Sequence, residues 1–439
     1  MPKKSKKDKI PYPGTKGEPF TEFYSRKKWR TVFQSQMLDL AGRGLSSVGT
    51  LIIGTALAKN HTISYLNLAH NDMGDDGAIA LADLLRVNET IHTLDLSQNC
   101  ITDVGAIALA SAFLPNVSPS GQPGQWNRTL TSLILVGNEC GDDTLLAFSN
   151  AAVSHHGFST INLSWNRIGA KGTRNLMRCF QHNPLCNFIL YANQLGDEGV
   201  VHLCEALRLH GGKGQGSLNL YRNSVGPRGA AAVAALLDGN DYLLELDLSS
   251  NTLGLRGTQE ICRVLTTSTC VLRTLNLADN MIGDDGAKEV ARVISANLPT
   301  LNRLNVSDNE INEKGSFHLV NALHKNTSLL VVQAGKNTFG SKAVKSIEEL
   351  VRTTKSLCSL NIMNCVSSPE LRWRLSLAVG ESDGVHVEMG NETTVENEEE
   401  GGILARINEY VQGLEEQEAQ RAREATAAKK LRRSKSKVA

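Results

Sequence analysis

Aliphatic residues alternate with polar residues in short blocks that return along most of the chain. The strings LNLAHN (66–71), LDLSQN (94–99) and INLSWN (161–166) show the pattern, which is Leu-x-Leu or a close variant followed by Asn. Alternation with a period of two predicts a short strand with one buried face. The Asn at its end predicts a turn, because its side-chain amide can bond backbone groups exposed there.

These blocks recur at a nearly constant interval. Successive terminal asparagines are 27 to 30 residues apart, except for one interval of 39. They are Asn71, Asn99, Asn138, Asn166, Asn193, Asn223, Asn251, Asn280, Asn309 and Asn337. Two outer blocks, ending at Arg43 and Cys365, bring the number of units to about 12. Such periodicity predicts a repeat array with atypical terminal units, in which the asparagines stack as a buried ladder.

A glycine stands six positions after most of these asparagines and opens a stretch of helical period, as in GAIALADLL (77–85). Each unit is therefore expected to be strand, turn, helix, turn. Parallel strands stack roughly 4.8 Å apart, whereas packed helices need roughly 8–10 Å. The array must then bend, with parallel strands on the concave face and helices on the convex face. The fold class predicted is an α/β solenoid, a horseshoe of about 12 repeats.

The repeating unit LxxLxLxxNxLxxxGxxxL resembles the ribonuclease-inhibitor-like subfamily of leucine-rich repeats over about residues 36–378. The resemblance implies the horseshoe fold but leaves function open, since the family includes inhibitors, GTPase activators, immune sensors and axonemal scaffolds. Two units depart from the pattern, because Thr144 and Ala343 replace the glycine. An insertion near 115–128 accounts for the long interval.

The net charge of +1 conceals segregation of charge to the two ends. Residues 1–36 carry +7, residues 381–400 carry −8 and residues 401–439 carry +4. We therefore expect a basic N-terminal tail and cap (1–36), a leucine-rich-repeat solenoid (37–380), an acidic linker (381–401) and a C-terminal helix with a basic tail (402–439).

Both ends admit two interpretations. The segment FTEFYSRKKWRTVF (20–33) mixes aromatic and basic residues. It is either a cap over the apolar edge of the first repeat or an anchor onto an acidic surface, such as a microtubule wall or nucleic acid. Near the C-terminus, Ile403, Ile407, Tyr410, Val411 and Leu414 share one helical face. That helix either packs back on the solenoid or docks a partner.

The chain lacks the marks of a secreted or membrane protein. Its N-terminus, MPKKSKKDKI, has no apolar core of a signal peptide, and no run of 18 apolar residues forms a membrane span. The nine cysteines include no CxxC pair. These features predict a cytoplasmic protein in a reducing compartment, where sequons such as Asn60-His-Thr62 would carry no meaning.

Motifs for catalysis, cofactors or metals are also missing. The loop GGKGQG (211–216) fits neither phosphate-binding pattern, and HExxH and GxSxG do not occur. The acidic turns GDD (74–76, 141–143, 283–285) read as solvated turns rather than calcium loops. Cys204 and Cys262 occupy a small, buried repeat position. The sequence predicts no catalytic, cofactor-binding or metal-binding residue and no small-molecule substrate, and it favours a protein over a nucleic acid as the partner.

The exposed strand positions of the middle units carry the site hypothesis. In most units they are small or polar, but in four central units they become apolar, aromatic or basic. The residues are Ile134, Val136, Trp165, Ile189, Tyr191, Tyr221 and Arg222. Trp, Tyr and Arg dominate interface energetics, so we expect a partner-binding patch, with Trp126 of the insertion as its lip. The alternative is that Ile and Val merely suit strands, while Trp165 or Tyr191 folds over its own rim.

The leading functional hypothesis is a non-catalytic scaffold or adaptor that binds one or more proteins on its concave face and anchors through its charged termini. The Lys-rich tail and C-terminal helix suggest a cytoskeletal or axonemal setting, in a cilium or flagellum. The alternative is a GTPase-activating protein resembling the Ran GTPase activator family, which shares this repeat and ends in an acidic region. Here the acidic stretch is followed by a basic helix, which departs from that pattern.

Overall fold

A computed structural model describes residues 35–115, 126–210, 216–381 and 384–390. The chain divides into two compact units, Met1–Leu272 and Arg273–Ala439. Each unit repeats one motif, a three-residue strand followed by a helix. Strands this short are sufficient because the Leu-x-Leu core of a repeat is itself three residues long.

The described part of the first unit contains eight strands and nine helices. The strands are β1 (Met37–Asp39), β2 (Tyr65–Asn67), β3 (Thr93–Asp95), β4 (Ser132–Ile134), β5 (Thr160–Asn162), β6 (Asn187–Ile189), β7 (Ser217–Asn219) and β8 (Glu245–Asp247). The helices are α1 (Ser46–Leu57), α2 (Gly74–Val87), α3 (Asp103–Ser111), α4 (Asp142–Ser154), α5 (Ala170–Thr173), α6 (Leu176–His182), α7 (Gly196–His210), α8 (Pro227–Leu237) and α9 (Gly254–Thr267).

The second unit continues the alternation. Its described strands are β9 (Thr274–Asn276), β10 (Arg303–Asn305), β11 (Val331–Gln333), β12 (Ser359–Asn361) and β13 (His386–Glu388). Its described helices are α10 (Gly283–Ala296), α11 (Glu313–Leu323), α12 (Ser341–Thr353) and α13 (Pro369–Gly380).

Strands and helices form separate layers. In the first unit, β1 to β6 make one parallel sheet in chain order, and β7 pairs with β8. In the second unit, β9 to β13 pair in chain order, again in parallel. Helices of successive repeats pack on one another. This arrangement confirms the predicted α/β solenoid of about 12 leucine-rich repeats, with a parallel strand layer and a helix layer.

The core lies between the two layers. Both leucines of a strand block point inward, as with Leu66 and Leu68, and the helix contributes Leu81 and Leu85 from its inner face. Cys204 and Cys262 are buried in the same layer, as their repeat position predicted. Burial of these regularly spaced aliphatic side chains is the main favourable term for the fold.

The predicted asparagine ladder is present. Asn99 is fully buried, and its amide nitrogen donates to the carbonyl oxygens of Leu68 (2.9 Å) and Leu96 (3.1 Å). Its amide oxygen accepts the backbone N–H of Asn71 at 2.9 Å. One side chain thus joins adjacent repeats and satisfies turn groups that have no ladder partner. In the second unit, Asn309 takes the same role toward Asn280.

The acidic turns have a structural function that the sequence interpretation missed. The Asp75 carboxylate accepts the backbone N–H groups of Thr102 (2.9 Å) and Gly105 (3.0 Å), at the start of helix α3 in the next repeat. A Cβ atom on Gly105 would lie 2.6 Å from that carboxylate oxygen. The recurrent glycine therefore leaves room for an aspartate that caps the following helix. Asp142 and Asp284 cap the next helices in the same way.

A second set of asparagines lies where each helix turns back to the next strand. The amide nitrogen of Asn88 donates to the Leu57 carbonyl at 2.9 Å, and that of Asn127 donates to the Leu85 carbonyl at 2.8 Å. The amide oxygen of each bonds N–H groups in its own turn. The Asn-x-Thr motifs at these positions are therefore structural turns, a meaning the sequence interpretation did not give them.

The C-terminal boundary of the repeats differs from the expected one. Residues 381–401 were expected to form an acidic linker, yet β13 lies within this range and pairs in parallel with β12. The array therefore extends at least to Glu388. The predicted N-terminal tail and C-terminal helix lie outside the described residues, apart from the approach to β1.

Candidate protein-binding site

The turn that follows each strand sets the direction of the central side chains of the site. The residue before each ladder asparagine adopts a left-handed backbone conformation, with φ of 56° at Trp165, 53° at Ala192 and 50° at Arg222. Trp165 and Arg222 therefore lie in these turns, three residues beyond β5 and β7. The sequence register had treated them as strand residues. A bulky residue with positive φ is uncommon and is a reason to look for function.

Trp165, Tyr221 and Arg222 form a contact group, here called the aromatic cluster. The ring centroids of Trp165 and Tyr221 are 6.4 Å apart. The guanidinium carbon of Arg222 lies 5.4 Å from the Trp165 ring centroid, within cation–π range. Trp165 nevertheless keeps 45% of its surface exposed. The cluster is thus held together by its own contacts and still presents an aromatic face to solvent.

Ala192 makes the aromatic cluster possible. It occupies the repeat position that Trp165 holds in the preceding unit and Arg222 in the following one, and it is buried. Its N–H donates to the Tyr221 carbonyl, while the N–H of Trp165 donates to the Tyr191 carbonyl at 3.0 Å. The two flanking side chains can meet across this small residue, so Ala192 positions the cluster although it resembles no binding residue in the sequence.

Ile134 and Ile189 replace a residue type with a local structural role. In six of the eight first-unit strands, an Asn or Asp at this position accepts the backbone N–H two residues ahead. Isoleucine cannot accept that bond. Strand register places Ile134 and Ile189 on either side of Asn162 in one row. Both are only half-buried, so local structure does not explain two aliphatic residues here.

The remaining predicted residues divide between two edges of the sheet. Val136 and Tyr191 are half-buried in the turns after β4 and β6, on the same edge as the aromatic cluster. Trp126 instead precedes β4, where its ring lies 4.1 Å from the guanidinium carbon of Arg128. The structure therefore brings Trp126 next to Arg128 at the strand-entry edge, not to the aromatic cluster at the strand-exit edge.

The charged side chains near the aromatic cluster differ in whether they are paired. Arg167, two residues after Trp165, forms an exposed ion pair with Glu139 at 3.1 Å. Within the described residues, Arg222 has no carboxylate within salt-bridge distance. Its turn neighbours are Ala192 and Ser250, which occupy the same position in adjacent repeats. The site thus combines aliphatic and aromatic surface with one uncompensated positive charge.

The described part of the chain was also searched for metal-binding groups, reactive thiols and pockets. No group of three or more His, Cys, Asp or Glu residues there is placed to hold a metal ion. Burial raises the pKa of Cys140 and of Cys204 to about 12, which disfavours a reactive thiolate at either. A polar groove of about 410 Å³ follows the turns of earlier repeats. It is lined by His70, Asp72, Gln98, Cys100, Gly137 and Glu139. No described helix is long and apolar enough to cross a bilayer.

Comparison with known proteins agrees with this architecture. The leucine rich repeat family model matches residues 59–82, 87–110, 239–262, 270–291 and 297–315. Pig (Sus scrofa) ribonuclease inhibitor is 41% identical over 109 residues, which are 25% of this chain and 24% of that protein. Human NACHT, LRR and PYD domains-containing protein 5 is 32% identical over 149 residues, covering 34% and 12% of the two chains.

These alignments span about a quarter or less of each relative's length. Among solved structures, an internalin from Listeria monocytogenes is similar at 16% identity, covering 84% of this chain and 90% of that one with a TM-score of 0.46.

The chain thus contains leucine-rich repeats, and part of the array is similar in sequence to ribonuclease inhibitor. Proteins built from such repeats generally serve as scaffolds for binding other proteins, because the stacked units expose an extended, continuous surface. Their fold is typically that of a non-enzymatic interaction scaffold.

Proposed function

We propose that this protein is a non-catalytic adaptor that binds a partner protein at the strand-exit edge of its first unit, centred on the aromatic cluster. The observation that supports this most is the exposed Trp165 ring, held by Tyr221 and Arg222 in a left-handed turn. Exposed aromatic area that is already ordered loses little entropy on binding, and Trp, Tyr and Arg are enriched in binding hot spots.

The composition of the site indicates the chemistry of its partner. Ile134 and Ile189 offer aliphatic surface beside the aromatic cluster. Arg222 offers guanidinium N–H groups that no described carboxylate accepts. A partner segment that inserts an apolar side chain and places a carboxylate beside Arg222 would satisfy both features. We infer an acidic, apolar protein segment rather than a nucleic acid, whose phosphates would call for a wider basic surface.

Affinity capture with site variants tests the proposal. Trp165→Ala combined with Tyr191→Ala should weaken binding of the true partner at least about tenfold, as expected for the loss of one or more hot-spot side chains. The full chain, tagged, is used to capture proteins from lysate, and quantitative mass spectrometry compares variant and wild type. Proteins lost with the variant are then purified and titrated.

A matched control comes from the same unit. His70→Ala removes another side chain from a left-handed turn position, with φ of 58° against 56° at Trp165. It should leave the captured proteins unchanged. If the Trp165/Tyr191 variant captures the same proteins as wild type, with circular dichroism unchanged, the aromatic cluster is not the binding site.

The cellular setting stays a separate prediction. Anchoring to a cytoskeletal or axonemal structure depends on termini that lie outside the described residues, and the cytoplasmic location depends on sequence features alone. The alternative of a Ran-type GTPase activator makes its own prediction, namely that this protein accelerates GTP hydrolysis by Ran. No acceleration is expected from an adaptor, so that assay separates the two functions.

A further inference from the structure

Helix α1 differs from the other described helices in its chemistry. Its sequence, SSVGTLIIGTAL, contains no charged residue, whereas each of the other described helices contains at least one. A helix that is apolar around most of its circumference is normally covered on more than one side. Yet Ile52 is 41% exposed, and Ala56 is exposed as well. These two residues, spaced four apart, lie on one face, here called the α1 end face.

Packing in the next repeat shows which direction the α1 end face points. A Cβ atom on Gly54 of α1 would lie 3.5 Å from the Ala80 carbonyl oxygen and 3.8 Å from the Leu84 Cβ. Ala80 and Leu84 are therefore on the side of α2 that faces the preceding repeat. The backbone N–H of Arg43 donates to the Asn71 side chain, just as that of Asn71 donates to the Asn99 side chain, so residues 28 positions apart are equivalent. The equivalents of Ala80 and Leu84 in α1 are therefore Ile52 and Ala56.

Burial confirms that this side is normally covered. Leu84 is 3% exposed, and its equivalent Ala112, directly after α3, is 0% exposed, whereas Ala56 is exposed. The α1 end face is thus the side against which a preceding helix would pack. Repeat arrays require such a terminal face to be capped, because each unit buries its apolar surface only against its neighbours.

We propose that residues 20–33 of the same chain cover the α1 end face. Helix α1, the helix that precedes β2, lies from 19 to 8 residues before Tyr65, the first residue of β2. The same distances before Met37, the first residue of β1, correspond to residues 18–29, most of which belong to this segment. The described chain begins at residue 35, so the segment is tethered beside the face at high effective concentration.

The chemistry of the segment matches that of the surface. Residues 20–33 supply aromatic side chains, among them Phe23, Tyr24 and Trp29, which can cover an uncharged aliphatic face. The basic residues between them carry long apolar stems and can keep their charged ends in water. A second copy of the chain could also cover the face, and the experiment below distinguishes the two occupants.

Limited trypsin digestion of the full chain tests the proposal with an internal reference. The segment contains cleavage sites at Arg26, Lys27, Lys28 and Arg30, and the tail contains others at Lys3 to Lys9. In wild type, cleavage at 26–30 should be at least about tenfold slower than at 3–9, because proteolysis of a closed segment follows the population of its open form. Equal rates at the two sets of sites would overturn the proposal.

Two substitutions locate the protecting surface. Ile52→Asp should raise the rate at 26–30 to near that at 3–9. Leu146→Asp is the control, since Leu146 is also 41% exposed, on helix α4, and should leave the rate unchanged. If both substitutions accelerate cleavage equally, the α1 end face is not the binding surface. If Ile52→Asp instead converts a dimer to a monomer at unchanged cleavage rates, a second copy covers the face and the proposal is wrong.

A variant in the segment guards against misfolding of Ile52→Asp. Trp29→Asp with Phe33→Asp changes no residue of the described repeats and should increase amide hydrogen exchange in residues 46–57 at least about tenfold, while exchange in α4 stays constant. Unchanged exchange in residues 46–57 would show that the segment does not cover α1. Both readouts are independent of partner binding at the aromatic cluster.

Discussion

Replacing Asn99 with alanine is the sharpest test of how the repeats are joined. The Asn99 side chain is fully buried and makes four hydrogen bonds. Its nitrogen donates to the carbonyls of Leu68 (2.9 Å), Leu96 (3.1 Å) and Ser97 (3.1 Å), and its oxygen accepts the Asn71 N–H (2.9 Å). Alanine would remove all four hydrogen bonds and would leave the backbone groups that they satisfy buried and without a partner.

The expected loss follows from those contacts. A buried polar group left without its partner costs about 1–3 kcal/mol, and several such groups are affected here. The total cost is smaller than the sum of these values, because the turn can relax and because the amide nitrogen shares two hydrogens among three carbonyls. We expect Asn99→Ala to lower the free energy of unfolding by about 3–5 kcal/mol. The control is Asn67→Ala, which removes one half-buried bond to the Ala69 N–H (3.0 Å) and should cost about 1 kcal/mol.

Urea unfolding followed by circular dichroism provides the measurement, together with amide exchange resolved along the chain. Exchange is needed because repeat arrays can unfold in parts, and the largest effect should appear in β2, β3 and β4. If Asn99→Ala costs no more than Asn67→Ala, the ladder is not a principal link between repeats.

Two further predictions concern Gly105 and His155, whose contributions to stability cannot be predicted from the repeat pattern alone. Gly105→Ala should destabilise the chain by about 2 kcal/mol or more, because the new methyl group would lie 2.6 Å from the Asp75 carboxylate. When Asp75→Ala is already present, the same change at Gly105 should cost less, and urea unfolding of the single and double variants measures the difference. Burial lowers the pKa of His155 below its ordinary value of 6.5, so the unfolded chain binds the proton more readily as pH falls. The stability contributed by neutral His155 is therefore fully present above pH 6.5, the ordinary pKa, and is lost as the pH falls below it. The melting temperature of wild type should drop more between about pH 7.5 and 5.5 than that of His155→Phe. His61→Ala, at an exposed histidine in another repeat, should not alter the drop; equal drops in all three proteins would contradict this.

The repeat architecture could be predicted because its determinants are local and recur. Leu66 and Leu68 alternate with polar residues, and Asn71 returns as Asn99 after 28 residues, so strand, buried face and ladder were all legible. The capping role of Asp75 was not legible, because its acceptor atoms bond a helix one repeat later and nothing in its own turn requires it. Gly105 carried the only sign, a missing side chain whose cause lies in the preceding repeat.

The candidate site was predicted only in its residue types. Trp165, Tyr221 and Arg222 stood out as unusual among small and polar positions, but the sequence register placed Trp165 and Arg222 on strands. The left-handed turn moves them to the strand-exit edge. Trp126 was grouped with them because of nearness along the chain, whereas the structure places it before its strand, beside Arg128.

The amino-acid sequence by itself determined the period of the array, the face of each element that is buried and the residue types available for binding, because these depend on spacing within one unit. Only the tertiary structure decided which side chains from different units meet. The contact between Trp165 and Arg222 across Ala192, the capping of one repeat by an aspartate of another, and the open face of α1 all arise from stacking. Stacking joins residues about 28 positions apart, and such distances carry no signal in a local pattern.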